Sequence, residues 1–182
     1  MSDCLHLVSF EVPYPANYGG AIDVFYKVKA LRELGIKIYL HAFEGRNTKS
    51  EELNAYCEKV YYYERKKSGM QAFSYLPYIV STRASKTLVK NLKSVKAPIL
   101  FEGLHSTFPL FKHKFEDRII LVRTHNIEHE YYKGLAGSET NFGRRLLFYA
   151  ESFKLKLYEK VLKRADYILP ISQADHAYFQ ER

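Results

Sequence analysis

SFEVPYPANYGGA, residues 9–21, is the stretch that decides the fold of this chain. An apolar run from Leu5 to Phe10 leads into it, and a pattern with Val24, Val28 and Leu31 on one helical face follows it. The two prolines between these segments fix φ and withhold backbone donors, which ends the first segment. The stretch therefore predicts a strand, a loop and a helix in that order.

Two adjacent glycines, Gly19 and Gly20, mark the start of the predicted helix. Glycine tolerates positive φ and lets the backbone come close to a ligand. Several N–H groups at the start of a helix have no intrahelical partner and lie at the positive end of the helix dipole, so this position suits a phosphate or another anion. A tight turn that merely needs glycine is the alternative, because neither GxGxxG nor GxxxxGK[ST] is present.

Five further apolar segments alternate with helical patterns along the chain. The first helix ends at Gly35, which is a common C-terminal stop, and residues 36–43 then alternate as a strand. The other predicted strands are 59–63, 97–101, 118–122 and 167–171. The other predicted helices cover 48–56, parts of 65–96, 142–161 and a last segment that is capped by Ser172 and runs to Arg182.

Apolar strands that alternate with helices are typical of a parallel sheet covered on both faces. No period of roughly 20 to 50 residues repeats, and no low-complexity linker interrupts the chain. A length of 182 residues suits one domain with a substantial core. We therefore expect an α/β fold, a Rossmann-like parallel sheet with helices on both faces, as a single domain over residues 1–182.

Composition narrows the class of protein without naming its ligand. The formal net charge of +8 favours anions in general: nucleic acid, acidic lipid head groups or diphosphate ligands. No run of about 18 apolar residues could span a membrane, and the N-terminus lacks the features of a secretion signal. Cys4 and Cys57 are too few for a disulfide framework or a zinc site. The predicted location is the reducing cytoplasm.

Residues 65–96 mix basic and aromatic side chains. Three consecutive basic residues open the segment, and apolar residues such as Phe73 and Leu88 then alternate with lysines such as Lys90. We expect one or two helices with an apolar and a cationic face. Such a face is either simply solvated, or it lies on anionic lipid or meets a lipid-linked substrate at the inner face of the membrane.

The longest helical pattern covers residues 142–161. Its apolar positions are spaced by three and four residues, namely Phe142, Leu146, Tyr149, Phe153, Leu157 and Val161, and basic residues occupy its other faces. A module that binds nucleic acid or another polyanion could use this helix. Against that reading, the cations are spread over several faces and no nucleic-acid recognition motif is present, so no nucleic-acid partner is expected.

Three polar clusters follow predicted strands directly. They are the loop with Gly19 and Gly20, the segment 102–106 and the segment 123–128. Ligands of open parallel sheets gather at the carboxyl ends of the strands, so we expect these clusters to meet at one edge. Their coincidence favours a genuine site more strongly than any one of them does alone.

Three motifs together resemble the N-terminal half of a GT-B glycosyltransferase of the retaining family 4 type. They are VPYP at 12–15 with Gly19 and Gly20, RTHNIE at 123–128 and ADYILPIS at 165–172. This resemblance implies two Rossmann-like domains that face each other across a cleft. In such enzymes the N-terminal domain mainly holds the acceptor, and the C-terminal domain binds the nucleotide-sugar with two glutamates and a basic residue.

The resemblance also implies roles for individual residues. Gly19 and Gly20 match the loop that approaches the donor diphosphate, and His125 matches a catalytic histidine that hydrogen-bonds the transferred sugar. Asn126, Glu102 and His105 are predicted acceptor contacts. A histidine satisfied by a nearby carbonyl remains the alternative for His125, and a capping role remains the alternative for Glu102 and His105. Neither a metal nor a cofactor is expected, since a nucleotide-diphosphate sugar would be the co-substrate.

The donor-binding half has no counterpart in these 182 residues. The chain alone is therefore expected to be inactive, with the C-terminal domain of the same polypeptide as its partner in the complete enzyme. The other expected partners are a glycan or lipid-linked acceptor and an anionic membrane surface. A non-catalytic Rossmann-like module that binds a nucleotide, a sugar or a polyanion is the alternative function.

Overall fold

The computed structural model describes residues 3–180, and these form a single six-stranded parallel sheet. The strands are β1 (Cys4–Ser9), β2 (Lys37–Glu44), β3 (Lys59–Glu64), β4 (Ile99–Glu102), β5 (Ile120–Thr124) and β6 (Tyr167–Pro170). Their order across the sheet is β3-β2-β1-β4-β5-β6, and every neighbouring pair is parallel. This confirms the predicted α/β, Rossmann-like fold.

The helices connect the strands and cover the sheet. They are α1 (Gly19–Glu33), α2 (Tyr78–Ser81), α3 (Lys86–Ser94), α4 (Phe108–Lys112), α5 (Glu128–Ser138), α6 (Phe142–Tyr158) and α7 (Gln173–Gln180). Short 3-10 turns lie at Glu51–Ala55, Gly69–Phe73, Leu104–Ser106 and Glu159–Arg164. No helix in residues 3–180 is long and apolar enough to cross a membrane.

Local chemistry explains where the helices begin. Ser85 accepts a hydrogen bond from the amide of Leu88 at the start of α3, and Ser172 accepts one from the amide of Asp175 at the start of α7, as predicted for Ser172. The helix predicted over 48–56 is only a 3-10 turn at Glu51–Ala55. The predicted continuation of the last helix through residues 181 and 182 lies outside the described residues.

The core has two layers because neighbouring strand residues point to opposite faces of the sheet. Val8, Phe101 and Val122 pack into one cluster with Leu155 of α6. Leu7 packs into the other cluster with residues of α1 such as Val24 and Val28. Both faces of the sheet are therefore buried, which accounts for the continuous apolar runs of the strands.

A chain of buried hydrogen bonds ties one face of the sheet to α3. Asn91 donates to the hydroxyl of Tyr63, and this hydroxyl lies 2.8 Å from Nδ1 of His41. Nε2 of His41 lies 2.9 Å from Nδ1 of His6, whose Nε2 lies 3.0 Å from the carbonyl oxygen of Val95. That carbonyl can only accept, so Nε2 of His6 is the donor. Burial lowers the pKa of both histidines, and two neutral rings let each group donate to the next along the chain.

Helix α6 buries a different face from the one that its apolar spacing marks in the sequence. Glu151, Leu155 and Tyr158 are its buried residues. Five of the six spaced apolar residues are exposed instead: Phe142 (71%), Leu146 (61%), Tyr149 (46%), Phe153 (65%) and Leu157 (51%). The sixth, Val161, lies in the 3-10 turn that follows the helix and is buried. The spacing predicted the helix correctly but not the face that meets the core.

Candidate functional site

A crevice of about 420 Å³ opens at the carboxyl edge of the sheet. The strand order reverses between β1 and β4, and ligands of open α/β sheets bind at this kind of switch point. The lining residues are Phe10, Glu11, Tyr18, Gly20, Arg46, His105, His125, Asn126, Glu128, Tyr131 and Tyr132. They come from the ends of β1, β2, β4 and β5 and from the helices that follow.

The crevice brings together residues from all three clusters that the sequence placed at this edge. Gly20, His105, His125 and Asn126 all line it. Gly19 is the first residue of α1 but is not among the lining residues. Glu102 lies beneath the crevice with its side chain fully buried, where it contacts His125. Its predicted contact with the acceptor would therefore have to be indirect.

The start of α1 has the features of an anion site. Its N-cap residue, Tyr18, makes no capping hydrogen bond through its side chain, and no acidic residue lies in the first turn. The first amides of the helix are therefore not occupied by a capping side chain. Neither Gly19 nor Gly20 adopts positive φ, so that part of the expectation is wrong. A Cβ added at Gly20 would lie 3.0 Å from the ring of Phe10, so the requirement for glycine here is steric.

His125 is held by a carboxylate rather than by a carbonyl. Its Nε2 lies 3.3 Å from Oε2 of Glu102, and the ring of Phe10 meets the imidazole edge-on at 5.5 Å. A buried carboxylate at this distance fixes the orientation of the ring. This contact does not match the alternative in which His125 merely satisfies a carbonyl.

A network of ion pairs lies below His125. Nζ of Lys27 lies 2.6 Å from Glu102 and 3.1 Å from Asp23, and Arg123 lies 2.9 Å from Asp23. Asp23, Glu102 and His125 also offer atoms within 4.8 Å of one another that could bind a metal ion. Both carboxylates already lie against cations, so a metal ion would have to displace Lys27 and Arg123.

Glu11 is a crevice residue that the sequence analysis did not single out, although it follows β1 directly. Tyr18 donates its hydroxyl proton to Glu11 at 2.5 Å, and Nη1 of Arg65 lies 3.4 Å from the same carboxylate. Arg83 lies 3.9 Å away and is itself buried, with its Nε donating to the carbonyl oxygen of Phe10. Glu11 therefore fixes the loop between β1 and α1 on the side of residues 65–83.

Arg46 supplies the exposed cation of the crevice. It follows β2 and lies 4.7 Å above the ring of Tyr18, on the same side as the start of α1. A guanidinium stacked on an aromatic ring keeps its donors free in the plane for a carboxylate or phosphate. Nothing in the spacing of the sequence connects the end of β2 with Tyr18, so the sequence alone does not indicate Arg46 as a site residue.

Glu128 and His105 are the crevice residues with buried polar atoms that lack hydrogen-bond partners among the described residues. Oε1 of Glu128 and Nδ1 of His105 are buried, have no hydrogen-bond partner among the described residues and lie 3.8 Å apart. Burial raises the pKa of Glu128 to about 7, an effect that the charge of Arg83 partly opposes. Burial, with the nearby charges of Arg83 and His125, holds the pKa of His105 well below its usual value. His105 is therefore neutral at pH 7.

Comparison with known proteins gives one informative relative. The chain is 27% identical over 175 residues to an "Uncharacterized 44.6 kDa protein in cps region" of Klebsiella pneumoniae. The match covers 92% of this chain and 45% of that protein, so the chain spans less than half of the relative's length. No protein-family model matches the chain, and no solved structure matches it significantly.

Proposed function

We propose that this chain is the acceptor-side domain of a retaining, metal-independent GT-B glycosyltransferase that acts in cell-surface polysaccharide synthesis. The observation that carries the proposal is that Gly20 and His125, which are 105 positions apart in the sequence, line one crevice at the switch point of the sheet. The relative from the cps region supports the biological setting, since capsular polysaccharide is assembled by successive sugar transfers.

Each side of the crevice would hold a different part of the donor. The uncapped amides at Gly19 and Gly20, with the guanidinium of Arg46 beside them, suit a diphosphate. His125 would hydrogen-bond the transferred sugar, and its contact with Glu102 would hold the imidazole in place for this. Asn126 would contribute a hydrogen bond to the acceptor from the same segment.

Catalysis of this kind depends on placement and charge more than on a covalent step. The acceptor oxygen would form a bond to the anomeric carbon on the face from which the diphosphate departs, and the departing phosphate would take the proton of the acceptor hydroxyl. Donors aimed at the departing diphosphate lower the barrier in a site from which water is excluded. Arg46 and the first amides of α1 would supply these donors.

The proposed reaction needs a second domain. The chain covers 45% of the relative from the cps region, and the proposal assigns nucleotide-sugar binding to a C-terminal domain of the same polypeptide. Residues 1–182 alone would therefore transfer no sugar. A lipid-linked or glycan acceptor would enter the crevice from the open side.

The test uses the natural full-length polypeptide that contains this chain. Purified protein is incubated with UDP-glucose, UDP-galactose, UDP-N-acetylglucosamine or GDP-mannose and with lipid-linked glycan from capsule-producing cells, and the transfer of labelled sugar is measured. We expect transfer from one donor and a loss of about 100-fold or more in His125→Ala, because the group that contacts the sugar is removed. His176→Ala, which changes an exposed histidine in α7, is the matched control and should keep full activity. No transfer from any donor, or equal rates in both variants, would refute the proposal.

A further inference from the structure

Three glutamates are buried in the described part of the chain, and two of them are fully paired. Glu102 meets Lys27 at 2.6 Å and His125 at 3.3 Å. Glu151 accepts a hydrogen bond from the amide of Tyr78 at 2.6 Å and another from Lys154 at 2.7 Å. Both carboxylates therefore stabilise the fold.

Glu128 is the exception. It is 5% exposed, yet no hydrogen bond to its carboxylate is found among residues 3–180, and its Oε1 is shielded from solvent without a partner. A buried and unpaired carboxylate destabilises a folded protein, and such groups persist where a ligand supplies the missing partner. Glu128 is also the first residue of α5 and lines the crevice.

The surroundings of Glu128 suit a neutral polar group rather than an ion. His105 presents its own unpaired Nδ1 3.8 Å away, and this imidazole is uncharged. Arg83, whose charge acts on Glu128, is already engaged with the carbonyl oxygens of Phe10 and Ile79. The site therefore combines an acceptor with a ring nitrogen, which are the two partners that a single hydroxyl group can use at once.

Aromatic rings form the walls around this pair. Phe10 stacks on His105 with ring centroids 5.1 Å apart, and Tyr131 and Tyr132 line the same crevice from α5. Aromatic faces pack against the C–H faces of sugar rings, while the polar groups beside them receive the hydroxyls. A carbohydrate therefore fits the lining better than an inorganic anion does.

We propose that Glu128, positioned by His105, binds a hydroxyl group of the carbohydrate that occupies the crevice. The hydroxyl donates its proton to the carboxylate of Glu128 and accepts a hydrogen bond from His105. This inference rests on the proposed function, which it deepens by assigning a sugar-binding role to a residue outside the set predicted from the sequence. The raised pKa of Glu128 agrees with it, because a partly protonated carboxyl does not repel the nearby diphosphate of a donor.

The first test separates a ligand-binding role from a structural one and needs no ligand. In the full-length polypeptide, Glu128→Gln should leave the melting temperature unchanged or raise it, since no partner is lost. The matched variant Glu151→Gln should lower it by several degrees, because Tyr78 and Lys154 lose a charged partner. A loss in Glu128→Gln as large as the loss in Glu151→Gln would overturn the proposal.

The second test measures sugar binding directly. Binding of the methyl α-glycosides of glucose, galactose, mannose and N-acetylglucosamine is followed by NMR at up to about 100 mM. We expect one of them to bind and its affinity to fall about fivefold or more in Glu128→Gln. Binding that is unchanged in this variant, or no binding of any of the four, would overturn the proposal.

These outcomes are distinct from failure of the proposed function. If sugar binding depends on Glu128 but no sugar is transferred from any nucleotide-sugar, this inference is supported and the proposed glycosyltransferase function is refuted. If sugar is transferred with the same KM values in wild type and in Glu128→Gln, the proposed function is supported and this inference is refuted.

A second inference concerns the exposed apolar stripe of α6. Its members are spaced by three or four residues and therefore share one face of the helix. They are Phe142, Leu146, Tyr149, Phe153 and Leu157. Each is at least 46% exposed, and the face lies opposite the buried residues Glu151, Leu155 and Tyr158. Phe153 and Leu157 also line an apolar groove of about 760 Å³ beside α7 and β6.

The residues around this stripe are cationic. Four of them are exposed and make no ion pair among the described residues: Arg145, Lys156, Lys160 and Lys163. Cζ of Arg145 lies 5.7 Å from the centroid of the Phe142 ring. The acidic residues of the same segment, Glu151 and Glu159, are not exposed and are paired with Lys154 and His129. The charge of this face therefore complements an anionic surface.

We infer that the stripe of α6 lies on an anionic lipid surface. Phenylalanine and leucine on one face, flanked by lysine and arginine, are typical of helices that lie at a membrane interface. The ring of Tyr132, which lines the crevice, lies 6.2 Å between centroids from that of Phe148, which shares the face of α6 with buried Leu155. The crevice therefore lies beside α6, and the stripe is on the other side of the helix.

The test is flotation of the full-length polypeptide with vesicles of phosphatidylcholine alone or with added phosphatidylglycerol. We expect binding only to the anionic vesicles, and a loss of about tenfold or more in Phe142→Ser/Phe153→Ser and in Lys156→Glu/Lys160→Glu. Lys86→Glu/Lys90→Glu, on the exposed face of α3, is the matched control and should bind normally.

Three results would overturn this inference. The first is equal binding to both kinds of vesicle, and the second is a loss confined to the α3 variant, which would move the membrane contact to residues 65–96. The third is a dimer that dissociates in Phe142→Ser/Phe153→Ser without any vesicle binding, which would assign the stripe to a second copy of the chain.

Discussion

Nζ of Lys27 lies 2.6 Å from Oε1 of Glu102, so the middle of α1 is joined to the last residue of β4 by an ion pair whose carboxylate is fully buried. The same carboxylate holds His125 at 3.3 Å. One buried group therefore fixes both the helix that begins at Gly19 and the imidazole of His125 in the crevice. The fold and the proposed site depend on the same contact.

Replacement of Lys27 by Met should destabilise the domain substantially. It leaves Glu102 buried with weaker partners, and removal of one member of a buried pair costs about 3 kcal/mol. Lys96→Met is the control, because its pair with Asp117 is 65% and 80% exposed and should contribute at most about 0.5 kcal/mol. Urea unfolding measures both free energies, and similar losses in the two variants would contradict the role of the buried pair.

Gly35→Val should mainly reduce stability, whereas Gly20→Val should mainly reduce the binding of an anion. Gly35 has φ of +83°, so a β-branched residue there is strained and should cost about 2 kcal/mol of stability. At Gly20 the new Cβ would lie 3.0 Å from the ring of Phe10 and 3.6 Å from that of Tyr18, so these rings must shift slightly. The loss of stability should be smaller than at Gly35, while close approach to the amides is blocked. Urea unfolding and NMR titration with inorganic pyrophosphate distinguish the two. If both variants lose stability and keep pyrophosphate binding, the two glycines are alike and structural.

The histidine pair His6 and His41 should make the domain sensitive to acid. Burial lowers the pKa of both groups in the folded state below the value of about 6.5 that they have in the unfolded chain. The unfolded state therefore binds more protons as pH falls below 6.5, and stability is lost in that direction. The free energy of unfolding should decline from pH 7 to pH 5 more steeply in wild type than in His41→Gln. Equal slopes would show that the pair does not control the decline.

Apolar runs predicted the sheet well, most directly for β1 and β4, which lie at its centre and are almost continuously buried. β3 begins at Lys59 as predicted, and the apolar run at residues 5–10 became β1 with bounds one residue earlier. The same method failed for α6, where the stripe through Phe153 is exposed. Spacing shows which residues share a face, but it does not show which neighbour covers that face.

The sequence predicted where on the sheet the candidate site lies better than it predicted which residues line it. The rule that ligands gather at the carboxyl ends of parallel strands put Gly20 and His125 at one edge, and both line the crevice there. Arg46 was missed because its contact with Tyr18 joins separate parts of the chain, and Glu11 was missed because its ion pairs with Arg65 and Arg83 do so too. Glu128 lay in the motif at 123–128, but its buried and unpaired state depends on packing that a sequence does not contain.

Glu128 should oppose the effect of the histidines over the same pH range. Its pKa is about 7 in the folded state and about 4.3 in the unfolded chain, so between these values the folded state binds more protons. The stability that it contributes is fully present below about pH 4.3 and is lost as pH rises through 7, on the order of 3 kcal/mol in total.

Glu128→Gln removes this titration. As pH rises from 5 to 7.5, the free energy of unfolding of the variant should therefore increase relative to that of wild type. Urea unfolding of both proteins at these two pH values gives the difference directly. A gap between the two proteins that stays constant with pH would mean that the carboxyl group is ionised throughout and has a partner in the folded protein.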